Sequence, residues 1–124
     1  MGEGYAGRSG WLQVDPLWAS RAARAQLLVS APGMAALSIA RVYQRPIILV
    51  VSDQPEQTSN AARARQLQLL HRVVTWRGDP ADFRRQVAEA ARQLSAAAPA
   101  PDVILGNQRA QARIDAWASR LLGL

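Results

Sequence analysis

Three short stretches of the chain carry groups suited to holding a polar ligand: Ser30-Ala31-Pro32-Gly33-Met34-Ala35, the run from Ser52 to Ala61, and Trp76-Arg77-Gly78. In the first, a glycine turns an apolar run into a helix, so the unpaired amides of the first helical turn face the loop and favour an anionic phosphate. In the second, Glu56 and Gln57 stand side by side at a helix start. A carboxylate accepts and a carboxamide donates, which is what the vicinal hydroxyls of a sugar demand. In the third, Arg77 is a candidate diphosphate contact and Trp76 a candidate stacking face for a base. Each pattern taken singly is also what an ordinary turn or helix cap requires.

The elements that must position these stretches follow from periodicity and turn chemistry. Trp11-Leu12-Gln13-Val14 reads as a short strand, and Asp15 as the cap of a helix from Pro16 to about Arg24. Gln26 to Ser30 is a short apolar strand, and Ala36, Leu37, Ala40 and Tyr43 give a helix from Met34 to Tyr43 one buried stripe. Ile47-Ile48-Leu49-Val50-Val51 is apolar on both faces, as expected of a central parallel strand covered by helices. A helix from about Gln57 to Leu70 and a strand Arg72-Val73-Val74-Thr75 come next. Asp79-Pro80 then opens a helix with Phe83, Val87, Ala90 or Ala91, and Leu94 on its apolar face. After an Ala/Pro-rich linker from Ala96 to Pro101, a last helix from about Asn107 to Leu122 places Ala110, Ile114, Trp117 and Leu121 on one face.

The alternation predicts an α/β fold, a Rossmann-like parallel sheet of about four strands with helices on both faces. Residues 1–10, with four glycines, are expected to be a flexible tail, and residues 11–124 one domain. The three polar stretches then lie beyond the carboxyl ends of the strands, where such sheets bind ligands.

Composition narrows the chemistry. The 124 residues contain no cysteine, which excludes disulfides, thiolate metal sites and a cysteine nucleophile. All fifteen basic residues are arginines, against nine acids, and they are spread along the chain without a dense basic block, so no nucleic-acid partner is expected. The longest apolar run, Pro46 to Val51, is far below the roughly 20 residues of a membrane span. A cytoplasmic protein is expected, with peripheral membrane contact only through a partner. His71 is the single histidine and no metal site is expected around it. Trp11, Trp18 and Trp117 are read as packing residues, and Arg84-Arg85 as a solvated helix face.

Taken in order, Leu27-Leu28-Val29-Ser30 with Gly33, Pro46-Ile47-Ile48-Leu49-Val50, and Glu56-Gln57 with Asn60-Ala61 resemble the donor-binding half of glycosyltransferases with the GT-B architecture. The thirteen-residue step from Gly33 to Pro46 and the three-residue step from Gln57 to Asn60 are those of the family. The nearest resemblance is to family 28, which includes the N-acetylglucosaminyltransferase that forms lipid II; nucleotide-sugar hydrolases and related proteins share this half. The likeness spans the chain from about Trp11 onward.

The resemblance implies a glycosyltransferase-like domain that binds a uridine-diphosphate (UDP) sugar for transfer to an acceptor hydroxyl, with no metal and no cofactor beyond that substrate. Ser30, Gly33, Met34 and Ala35 would face the diphosphate, Glu56 and Gln57 would hold the sugar hydroxyls, and Asn60 would fix the loop onto its helix. The acceptor-binding half, which commonly carries the catalytic base, is not matched by these residues, which leaves the chain a fragment, a degenerate remnant or a subunit that docks on an acceptor-binding partner chain; no catalytic residue is assigned here. The chain departs from the family at Ile39, where a glutamate grips the ribose. Losing that carboxylate weakens nucleotide binding by about 1.5 to 3 kcal/mol. A non-catalytic assembly module and a nucleotide-sugar hydrolase stand as the alternatives.

Overall fold

The computed structural model describes residues 2–3, 11–12, 16–52 and 55–123, the side chains of residues 2, 3, 11, 12 and 56 lying outside that description. The elements run β1 (Gly2–Glu3), β2 (Trp11–Leu12), α1 (Trp18–Arg24), β3 (Leu28–Ser30), α2 (Met34–Tyr43), β4 (Ile47–Val51), α3 (Pro55–Gln66), β5 (His71–Thr75), α4 (Pro80–Ala97) and α5 (Val103–Leu122).

The centre is a three-stranded parallel sheet in the order β3-β4-β5, with Leu28 beside Ile47 and Ile47 beside His71. β4 separates two cores. Ile47, Leu49 and Val51 face Leu37 and Ala40 of α2 and Ala61 and Ala64 of α3. Ile48 faces the other way, with Val74, Ala90 and Leu94. Both connecting helices thus lie on one face, as consecutive right-handed crossovers require, and α4 covers the other. The run apolar on both faces is the central strand because both its faces are buried.

Three strands, not about four, form this sheet. Trp11–Leu12 pairs in parallel with Gly2–Glu3 in a separate two-stranded ladder. Composition favours extended backbone there, but the choice of pairing partner is a tertiary matter. The rest of the proposed tail, residues 4–10, and the proposed cap Asp15 lie outside the described residues. α1 starts at Trp18, with Leu17 at its cap position and no side-chain cap hydrogen bond. On the outer edge of β5, the Thr75 amide donates to Gln86 Oε1 at 3.1 Å and the Thr75 carbonyl accepts from Gln86 Nε2 at 2.9 Å. A carboxamide from α4 therefore takes ladder positions that a further strand would otherwise pair with.

At α4 the cap is as expected, Asp79 Oδ1 accepting from the Ala81 amide at 3.0 Å ahead of Pro80. α5 starts four residues before the expected Asn107, because Asp102 Oδ1 accepts from the Leu105 amide at 2.9 Å and opens the helix there. α5 docks on the end of α2. Gly106 is buried against Tyr43 so closely that a Cβ would sit 2.1 Å from the ring, the Tyr43 hydroxyl donates to Asn107 Oδ1 at 2.6 Å, and Arg109 Nη1 donates to the Val42 carbonyl at 3.2 Å.

The expected apolar stripe on α5 continues this docking face but is not core. Ile114 is 61% exposed, Trp117 56% and Leu121 77%. The 20 residues of α5 extend about 30 Å, against about 15 Å for the 10 residues of α2, so the stripe overruns its support.

Arg45, just before β4, is 2% exposed. Its Nε donates to the Tyr43 carbonyl at 3.2 Å, Nη1 to Ala25 at 3.3 Å and Nη2 to Pro99 at 2.7 Å. One planar cation thereby ties the ends of α1 and α2 to the segment after α4. Burial holds its pKa below the usual arginine value.

Candidate functional site at the carboxyl edge of the sheet

The parallel sheet brings the loops after β3, β4 and β5 to one edge, the first and third about 10 Å apart across β4. In the first loop the Ser30 hydroxyl donates to the Ala31 carbonyl at 2.7 Å, and it is turned to its own turn. Gly33 is the N-cap of α2, with φ −98° and ψ 156°, a conformation open to any residue. A Cβ placed on it would meet nothing within 4 Å. Neither backbone angle nor internal packing calls for glycine; what glycine preserves is open approach to the amides that follow. α2 has no side-chain cap and no acid in its first turn. Asp79 and Asp102, by contrast, cap α4 and α5.

Arg63, in the last turn of α3, contacts a side chain of the α2 start, and no sequence pattern pointed to it. Its Nη1 reaches Met34 Sδ at 3.9 Å, 29 residues earlier in the chain, so a cation touches the side chain of the first helical residue of α2. Only the placement of α2 and α3 on the same face puts it there.

In the second loop, Gln57 Oε1 accepts from both the Ser52 amide and the Ser52 hydroxyl, each at 2.8 Å. Gln57 is therefore the tie between loop and helix, the role the resemblance gave to Asn60. Asn60 is half-buried on α3, and its side chain makes no hydrogen bond among the described residues. The carboxamide nitrogen of Gln57 is the part left for a ligand. The Glu56 carboxylate, Asp53 and Gln54 lie outside the described residues.

In the third loop Trp76 meets Phe83 edge to face, centroids 5.4 Å apart at 85°, and remains partly exposed. Arg77 is exposed and has no ion pair among the described residues. Gly78, at φ +83°, makes the turn into α4. Ile39 is half-buried within α2. His71 opens β5 at the opposite end of the sheet, where its Nδ1 donates to the Leu69 carbonyl at 2.8 Å. No group of three potential metal ligands occurs among the described residues, and none of the described helices is long and apolar enough to cross a membrane.

No protein-family model, curated protein or solved structure matches the chain.

Proposed function

We propose that the chain is a donor-binding module of the glycosyltransferase type, holding a UDP-sugar at the carboxyl edge of its sheet. The observation that carries the reading is Gly33: a glycine needed by neither conformation nor packing, at the start of a helix that has no side-chain cap. A diphosphate there would accept from the amides of Met34 and Ala35, while the Gln57 carboxamide nitrogen and Glu56 would meet the sugar. Trp76 and Arg77 line the far side of the same edge.

In transfer, an acceptor oxygen forms its bond to the anomeric carbon as the bond from that carbon to the diphosphate breaks. The electron pair leaves with UDP, and a base on the partner half takes the acceptor proton. The amides of the α2 start stabilise the leaving charge.

Thermal unfolding with and without millimolar UDP tests the reading. Ligand at 100 times its Kd adds about 2.7 kcal/mol of stability. Gly33→Asp is the informative variant, because it places a carboxylate on the same amides. The midpoint of the free protein rises slightly, by the equivalent of about 0.5 kcal/mol from the new cap, and the UDP response disappears. An unchanged UDP response in Gly33→Asp, or none in the parent, removes the donor site.

A second reading, a non-catalytic assembly module, is favoured by one observation: the oxygen of Gln57 already serves Ser52. It predicts no response to UDP in either protein.

A further inference from the structure

At the amino ends of the strands, opposite the edge just described, lies a cavity of about 650 Å³. Arg41, Arg45, Arg109 and Arg113 line it, and no acidic residue does. Its remaining walls are largely apolar, with Ala40, Leu67, Leu69 and Ala112 among them.

Helix-end carbonyls explain two of the four cations. Arg45 is committed to Tyr43, Ala25 and Pro99, and Arg109 to Val42. The side chains of Arg41 and Arg113 make no hydrogen bond or ion pair among the described residues. Arg109 and Arg113 stand four apart on α5, a like-charge spacing that disfavours the helix. On α4, Arg85 meets Asp82 and Arg92 meets Glu89, whereas no acid lines this cavity to do the same. Carbonyl dipoles do not cancel a net charge, so the cavity keeps an excess of positive charge on an apolar base. Two cations that nothing in the fold requires, facing a cavity of ligand size, are suited to recognising an anion.

We propose that this cavity binds an amphiphilic anion, a phosphate or carboxylate head held by Arg41, Arg113 and the remaining donors of Arg109, with an apolar body against Leu67, Leu69 and Ala112. The site is separate from the donor edge and does not depend on it.

Calorimetric titration of the full chain with octyl phosphate at low salt tests this, with octyltrimethylammonium and inorganic phosphate as comparison probes. Octyl phosphate binds saturably at one site and the cationic probe does not. The double variant Arg41→Ala/Arg113→Ala weakens octyl phosphate about tenfold or more, since each charged hydrogen bond is a factor of that order. Its thermal midpoint without ligand does not fall, because neither side chain has a partner to lose, and its response to UDP is retained. Inorganic phosphate binding as tightly as octyl phosphate would assign the site to free anions and overturn the apolar half of the proposal. Absence of saturable binding, equal binding of the cationic probe, or unchanged affinity in the double variant overturns it entirely.

Discussion

The two ends of the same three-stranded sheet are built on opposite plans. The carboxyl edge is loops and helix starts, held by short local ties such as Gln57 to Ser52 and Asp79 to Ala81. The amino end is held by long-range ones: Arg45 reaches Ala25 and Pro99, and Tyr43 meets Gly106 and Asn107 of α5. The N-termini of α2, α3 and α4, with spare donors, face the first end; their C-termini, with spare acceptors, face the second. Parallel strands joined by helices enforce this polarity, and the arginines of the amino end answer it. Stability is therefore concentrated at one end, leaving the other free to present unpaired amides.

If that division is right, substitutions at the amino end should cost more than those at the carboxyl edge. Arg45→Ala leaves three carbonyls without a donor and lowers unfolding free energy by about 4 kcal/mol, a large part of a typical domain total. Urea denaturation measures it, and Arg45→Lys recovers only a fraction because an ammonium cannot span three carbonyls as a planar fork does. Gly106→Ala drives a methyl into the Tyr43 ring and costs about 3 kcal/mol, with α5 losing hydrogen-exchange protection before the sheet. Gln57→Ala, at the carboxyl edge, removes two acceptor bonds from Ser52 and costs about 1 kcal/mol by the same urea assay. A Gln57→Ala loss equal to that of Arg45→Ala would erase the contrast between the ends.

The elements with strong local signals were readable in the sequence: β4 from its unbroken apolar run, α2 from its stripe, and α4 from Asp79-Pro80 and the spacing that buries Ala90 and Leu94. The α5 stripe was equally readable as a pattern and misleading as a location. Periodicity says which residues share a face, not whether a neighbour is long enough to cover it, and Trp117 stands exposed beneath the Arg120 guanidinium, 5.6 Å from the ring centroid. In the candidate site, Gly33 and Gln57 were identifiable from turn chemistry. The attachment of Gln57 to Ser52 and the approach of Arg63 to Met34 were not. Both depend on coordinates that local spacing does not encode.

By itself the sequence determined the α/β alternation, the parallel character of the sheet and the edge on which its loops gather, because hydrophobic period, caps and turns act over a few residues. Tertiary structure alone decided the rest. It set the sheet at three strands, left the α5 stripe bare, and drew Arg41, Arg45, Arg109 and Arg113, from two regions of the chain, around one cavity. The physical reason is that which strand pairs, how far a helix is covered and which charges share a space are fixed by contacts between residues distant in the chain.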